Sequence, residues 1–254
     1  MIRWKLVTHG GIDGKTRTIV FLHCTSNNLA ATVLHHFQCA VSQYGLPDRV
    51  RSDRGGENVD VWRYMIQMHE TASSVIAGSS THNVRIERLW RDTFRCVIGH
   101  YYELFYSLEE HQLLNPLNET DIYCLHFIFI PRINKHLHDF TESWNHHALS
   151  TEHNQTPYQL MLLGMIDNPP QAVISSLSSA AGLQPLPQHL NITQHVQVPR
   201  SKFNPCSALI SLVTQSVNPL QESAEFGRDL YITLIHIVAQ HLQQSEDCNC
   251  ELAE

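Results

Sequence analysis

Two short alternating runs open the chain. Trp4-Lys5-Leu6-Val7-Thr8-His9-Gly10-Gly11-Ile12 reads as a strand softened at its end by two glycines. Thr18-Ile19-Val20-Phe21-Leu22-His23 is rich in β-branched and aromatic residues and reads as a second strand. Asp13-Gly14-Lys15-Thr16 between them is a turn, because Asp-Gly favours the positive φ of a hairpin. The period then changes. Val33, Leu34, Phe37, Ala40 and Val41 recur at helical spacing and predict a helix over 29–44. Ser26-Asn27-Asn28 is placed to cap it and Gly45-Leu46-Pro47 to end it. Arg49-Val50-Arg51-Ser52 is a third strand, 61–68 a short helix, and Val75-Ile76-Ala77-Gly78 a short strand after a loop. The order β-β-α-β suits a mixed sheet flanked by helices.

Helical spacing dominates the rest. Ile86, Trp90, Phe94, Val97, Ile98, Tyr101, Phe105 and Leu108 form one apolar stripe, predicting a helix over 83–114. Asn115-Pro116-Leu117-Asn118 breaks it. A further helix over 119–138 has Ile122, Leu125, Phe129, Ile133 and Leu137 as its core face, with Pro131 expected to kink or divide it. Thr156-Pro157 reads as an N-cap followed by a first-turn proline. A core domain over 1–165 is therefore expected. Residues 166–218, rich in Ser, Gln, Pro and Asn with few charges, read as a mostly disordered linker. Periodicity returns over 219–244 through Leu220, Ala224, Leu230, Leu234, Ile235, Val238 and Leu242, as one amphipathic helix softened at Gly227. Its apolar face must dock on the core or on a partner, and 245–254 is a tail.

Composition narrows the function. A chain of 254 residues can bury one substantial core and carry an appended segment. No apolar run approaches the roughly 20 residues of a membrane span, and no long apolar stretch follows Met1-Ile2-Arg3-Trp4-Lys5 as in a signal peptide. Seven cysteines without regular spacing argue for a reducing compartment. The net charge of −7 is unevenly spread: residues 1–95 carry 12 Lys/Arg against 8 Asp/Glu, whereas 96–254 carry 5 against 16. Basic charge is concentrated in the first part, and phosphate binding depends on local charge. The acidic part contacts basic partners or keeps the protein soluble. The 18 histidines do not form a spaced ligand set, with His35-His36, His146-His147 and Cys248-x-Cys250 unrelated in spacing, so zinc is not expected. No Walker-type loop and no nucleophile elbow is present.

The candidate chemistry lies between Arg49 and Glu87. Asp53 follows the third strand and precedes Gly55-Gly56, so it sits at a strand's C-terminal end, while Glu87 sits in the first turn of the helix over 83–114. Such a pair can converge on a divalent metal. Mg²⁺ takes oxygen ligands, usually one or two carboxylates plus waters and substrate phosphates. Two such ions about 4 Å apart clamp an in-line phosphoryl transfer. Arg88, Arg91 and Arg95 repeat at spacings of three and four beside Glu87, placing planar guanidinium forks along one side of the helix, within reach of a phosphate backbone. The alternative is i,i+4 pairing with Glu87 and Asp92, worth about 0.3–0.5 kcal/mol per pair. Glu57 and Asn58 support Asp53 or face nucleic acid; the alternative is that they cap the following helix. Asp13 is a titratable candidate for a third ligand, but it occupies a predicted turn rather than a strand.

Ser52-Asp53-x-Gly55-x-Glu57-Asn58, followed by Thr81-His82-Asn83-x-Arg85-Ile86-Glu87-Arg88-Leu89-Trp90-Arg91-Asp92, resembles the integrase catalytic core of retroviruses and retroelements. It is similar also to the host-encoded integrase-core-domain proteins of animal genomes, of transposable-element origin. The resemblance covers roughly Arg3 to Leu163. Asp13, Gly14, Thr16 and Arg17 match a D-G-x-[ST]-R turn, and Asn145, His147, Thr156, Pro157 and Leu160 match the family's closing W/Y-N-x-H and T-P-x-x-L/M stretches. The resemblance implies an α/β, ribonuclease-H-like fold: a mixed five-stranded sheet flanked by helices, with a helical C-terminal extension here. It implies an Asp, Asp, Glu metal site (the DDE superfamily), with Asp53 and Glu87 as metal ligands and catalytic residues, and Mg²⁺ or Mn²⁺ as the cofactor. It also implies DNA as the partner, a possible homo-oligomer, DNA integration as the activity and a nuclear location. Arg54, Asn83, Arg88, Arg91 and Arg95 are the nucleic-acid-binding candidates, and Gly78–Thr81 matches a loop that is mobile in integrases. The family's first aspartate lies on the preceding strand, a few residues before the Arg-Trp matched by Arg3-Trp4. The first-strand carboxylate is therefore expected to be missing here, through a truncated gene model or a domesticated copy, unless the register is shifted and Asp13 serves. Two readings stay open: an integrase-like polynucleotidyl transferase, or a catalytically inactive core acting as a nucleic-acid-binding or oligomerisation module.

Overall fold

The computed structural model describes residues 1–78, 83–169, 186–187, 190, 192, 196–199 and 201–244. The segment Ser79–His82, most of the expected linker and the 245–254 tail lie outside them. The fold is α/β. Strand β1 (Val7–Ile12) pairs antiparallel with β2 (Ile19–Thr25), Val7 opposite Thr25, with a register shift between Gly11 and Ile12. Strand β3 (Val50–Ser52) pairs parallel with β4 (Val75–Ala77), Ser52 opposite Ala77. A parallel pair needs a crossover. Helix α2 (Val59–His69) supplies it, its Val59, Val61, Trp62, Tyr64 and Met65 buried. Among the described residues the expected five-stranded sheet is present as these two separate pairs, with no ladder between them. The first predicted strand is also shorter than its apolar pattern, because Ile2–Trp4 is a 3-10 turn and Lys5 adopts a left-handed backbone (φ 55).

Helix α1 (Ala30–Tyr44) follows β2 and ends at Gly45, whose φ of 87 suits glycine. Its cap is not a side-chain cap. Asn27 Oδ1 instead accepts from Leu29 N–H at 3.1 Å and Thr32 Oγ1–H at 2.7 Å, turning the chain just ahead of the helix. Buried residues of α1 and α2 pack with Val75 and Leu190 into one core.

The larger core lies on the other side of the β1–β2 hairpin. Helix α3 (Val84–Thr93) runs through a π-turn (Phe94–Ile98) into α4 (Gly99–Glu110). Helix α5 (Glu119–His146) is longer than expected. The pattern predicts an end near His138 and a kink or division at Pro131; the helix is not divided, and the residues on both sides of Pro131, Ile128, Phe129, Ile133 and Leu137, are all fully buried. Asn134 and Asn145 of this helix pair with the backbone of β2. Asn134 Oδ1 accepts from Cys24 N–H at 2.7 Å while its Nδ2 donates to Cys24 C=O at 2.9 Å, and Asn145 treats Ile19 likewise at 2.8 and 3.0 Å. The outer edge of β2 is thus occupied by side-chain amides where another strand would otherwise add.

The C-terminal region also departs from its pattern. Helix α6 (Pro157–Asp167) starts with a capping box between Thr156 and Gln159. Residues 203–217, assigned to linker on composition, hold helix α7 (Ser207–Ser216), and Phe203, Leu209, Val213 and Val217 are buried in the larger core. Three apolar positions at helical spacing, Leu209, Val213 and Val217, seat this polar stretch in the core, where α7 packs with the last helix. The last helix, α8 (Arg228–Gln244), begins nine residues later than the expected 219. Gly227 (φ +98) turns the chain before it, and Arg132 Nη1–H donates to the carbonyls of Pro219 at 2.7 Å and Gln221 at 2.9 Å. Leu230, Tyr231, Leu234 and Val238 then pack on the core, so the amphipathic face docks within the chain. No helix among the described residues is long and apolar enough to cross a membrane.

Candidate nucleic-acid and metal site

Asp53 stands directly after β3, beside the end of β4, where Gly78 N–H donates to Ser52 C=O at 3.1 Å. Trp62 Nε1–H donates to Ser52 Oγ at 2.8 Å, tying this strand end to α2. Asp53 Oδ1 accepts from Asn58 Nδ2–H at 2.9 Å and Gly55 N–H at 3.3 Å. Asn58 precedes α2 without capping it through its side chain. It orients Asp53 instead, so the supporting role is the one its geometry serves. At Gly55 a Cβ would lie 2.2 Å from Glu57 Oε1, the tip of a flexible side chain. The Glu57 carboxylate therefore folds back over Gly55, where Asn28 Nδ2–H reaches it at 3.4 Å. Arg54 is half-buried beside Asp53.

Glu87 lies in the first turn of α3, with its N–H on Asn83 C=O at 3.1 Å and its side chain exposed. Asn83 is buried, and its Oδ1 has no partner among the described residues. Arg88, Arg91 and Arg95 are exposed along the same helix and its π-turn. The pairing alternative is not realised. Among the described residues no ion pair joins these arginines to Glu87 or Asp92. Leu89 is fully buried and Trp90 rests against Gly10 of β1, where a Cβ would meet its ring at 2.9 Å. Those two contacts fix which face of α3 is turned outward.

Asp13 is committed elsewhere. Its Oδ2 accepts from Lys15 N–H at 3.1 Å, Thr16 N–H at 2.6 Å and Thr16 Oγ1–H at 2.8 Å, all inside the β1–β2 turn. A carboxylate with three local donors on one oxygen is a turn-former. Among the described residues no three His, Cys, Asp or Glu side chains gather as a metal-binding set.

A family description, integrase core domain, matches residues 1–174. The chain belongs to the integrase core domain family. No curated protein and no solved structure compared with it matches.

In this integrase-core-domain protein, the remaining motif residues form a clamp. Thr16 Oγ1 and Thr18 Oγ1 lie 2.9 Å apart, and Thr18 Oγ1–H donates to Pro157 C=O at 2.9 Å. Trp144 Nε1–H donates to Arg17 C=O at 2.9 Å, and Arg17 Nη2 pairs with Glu152 at 3.0 Å. Asn145, 3% exposed, holds both polar groups of Ile19. The D-G-x-T-R turn, the W-N stretch and the T-P stretch are therefore one structural unit. Nothing in their spacing along the sequence reveals it, because the contacts span more than 120 residues.

Proposed function

We propose that this integrase-core-domain protein binds DNA along the outward face of α3 and presents Asp53 and Glu87 to a divalent metal ion. The observation that carries the reading is the row Arg88, Arg91 and Arg95: exposed, without ion pairs among the described residues, and on the helix that bears Glu87. Arginine forks on a fixed helix grip phosphate oxygens and set the register of a duplex without reading its sequence. The donor set suits Mg²⁺ or Mn²⁺, hard ions that accept two carboxylates and leave other positions to water and phosphate. Only Oδ1 of Asp53 is engaged among the described residues, which leaves Oδ2 for the ion, with Asn58 holding the carboxylate's orientation. When bound, the ion would activate water or a 3′-hydroxyl and stabilise the leaving oxygen in phosphoryl transfer. DNA integration, a self-assembled oligomer and a nuclear location are the family properties that accompany this reading.

A second reading is favoured by the engagement of Asp13. A core with two carboxylates in place of three is suited to binding or assembly rather than transfer. One assay separates them: Mn²⁺-dependent nicking and strand transfer on linear duplex, comparing the native chain with Asp53→Asn, Glu87→Gln and Asp13→Asn. Activity lost in the first two and kept in Asp13→Asn supports transfer by the Asp53–Glu87 pair. Loss in all three brings Asp13 into the site. Activity no higher than the variants, with DNA binding retained, supports the binding module. Absence of DNA binding at low salt rejects transfer and the binding module alike and leaves assembly.

A further inference from the structure

The π-turn changes what the α3–α4 helix presents. Residues of an α-helix are about 100° apart, so Phe94 and Tyr102 would be about 80° out of line in a regular helix. A π-turn takes up one extra residue. The interval then behaves as seven positions, about 20° out of line, and the two rings meet with centroids 6.0 Å apart. Gly99 makes this possible: its N–H donates to Phe94 C=O, and a Cβ there would lie 2.9 Å from that oxygen. Tyr106 continues the line, 4.8 Å from Tyr102 with the two hydroxyls 3.3 Å apart.

These rings are open to solvent: Phe94 is 50% exposed, Tyr102 36% and Tyr106 38%. They are also held still. The buried Trp4 meets Tyr102 and Tyr106 edge-on, at 5.4 and 5.1 Å, and is fixed by Glu109 at 2.7 Å through its Nε1–H. Glu87 is seven residues before Phe94, again about 20° from alignment. Glu87, Phe94, Tyr102 and Tyr106 thus share one face over about 28 Å, with Arg88, Arg91 and Arg95 along its flank. Beyond the arginines, Glu103 and Glu110 are exposed and repel phosphate, so this end of the face suits bases rather than backbone.

We propose that this ridge is a stacking platform for an unpaired stretch of DNA that leaves the Glu87 site. The arginines hold its phosphates, and Phe94 and Tyr102, with Tyr106 at the far end, receive its bases. Aromatic rings next to a basic row are the usual means of holding single strands without sequence preference. Continuity with the arginine row and Glu87 decides the occupant in favour of nucleic acid, and the inference rests on the DNA reading above.

The test is fluorescence anisotropy of the full chain with labelled blunt duplex, duplex bearing a ten-nucleotide single-stranded extension, and the single strand alone. Phe94→Ala and Tyr102→Ala should each weaken binding of the extended and single-stranded DNAs about 5- to 100-fold and leave the blunt duplex within about twofold. Tyr102→Phe, which keeps the ring, should bind as the native chain does. Circular dichroism and sedimentation accompany each variant. Native chain and variants binding all DNAs alike would overturn the platform while leaving the DNA reading standing. A native dimer that Tyr102→Ala converts to monomer, with affinities unchanged, would reassign the ridge to a second copy. A native chain that binds none of the DNAs would remove the DNA reading and this inference together.

Discussion

At the turn between β1 and β2, Asp13, Thr16, Arg17, Trp144, Asn145 and Pro157 are joined to one another and to β2 by hydrogen bonds. Along α3, the side chains of Glu87, Arg88, Arg91 and Arg95 are exposed, and none forms an ion pair among the described residues. Both groups belong to motifs of the same family, yet one is occupied in holding distant parts of the chain together and the other is left for something outside it. The difference is informative because charged and polar groups buried in a fold cost free energy unless paired, whereas exposed ones cost little. Pairing therefore marks a structural role, whereas unpaired exposure on a rigid helix leaves these side chains open to the DNA contact proposed above.

The comparison breaks most sharply at Asn145. Replacing it by alanine leaves the N–H and C=O of Ile19 without partners in a site 3% exposed. Asn145→Ala should cost about 2–4 kcal/mol in urea unfolding, with DNA affinity of the folded fraction unchanged. On the other side, the triple variant Arg88→Gln, Arg91→Gln, Arg95→Gln should keep stability within about 0.5 kcal/mol. Its salt dependence of DNA binding should fall by about 2–3 in slope. A native slope in the triple variant would place the DNA elsewhere.

Asp13→Ala removes an acceptor of three hydrogen bonds and should destabilise by about 1–2 kcal/mol without altering Mn²⁺ affinity measured by calorimetry. A loss of Mn²⁺ binding with stability intact would invert the assignment of Asp13.

The smallest expected effect sits between the hairpin and α1. His36 stacks on His23 at 4.6 Å, with His9 at 6.3 Å and His35 at 5.7 Å, and its Nε2 is buried without a partner among the described residues. Burial first, then the neighbouring imidazoles, push its pKa from the ordinary 6.5 down to about 4. The unfolded chain then binds a proton that the folded chain refuses, so stability falls as pH drops through 6.5 toward 4. Allowing for its partial solvent contact, the loss is on the order of 1 kcal/mol. His36→Phe should flatten unfolding curves compared between pH 7 and 4.5; an unchanged pH dependence would move the effect to other histidines.

Much of the fold was legible because local pattern and tertiary need agreed. The hairpin, α1, α2 and the Thr156-Pro157 helix start follow from period, turn residues and caps that act within a few positions. The misreadings have the opposite cause. Pro131 loses one helix hydrogen bond, but buried side chains on both sides of it hold α5 continuous to His146. The polar composition around α7 hid Leu209, Val213 and Val217, which are buried in the larger core where α7 packs with α8. The π-turn left no clear trace beyond Gly99 following a β-branched pair; the apolar stripe takes in Phe94 but not Tyr102 or Tyr106, which line up with it only through the extra residue.

Local spacing suffices for the family-bearing motifs, the Asp13 turn, the strand end at Asp53, the helix start at Glu87 and the arginine row, since each lies within one element. The folded core was needed to show that Asn58 steadies Asp53, that Asn145 clamps Ile19, and that Phe94 and Tyr102 stand in line. Those roles depend on which side chains meet in the folded chain, across more than a hundred residues for Asn145, or on one extra residue in a helical turn. Neither is encoded in a local period; both are settled when the core closes.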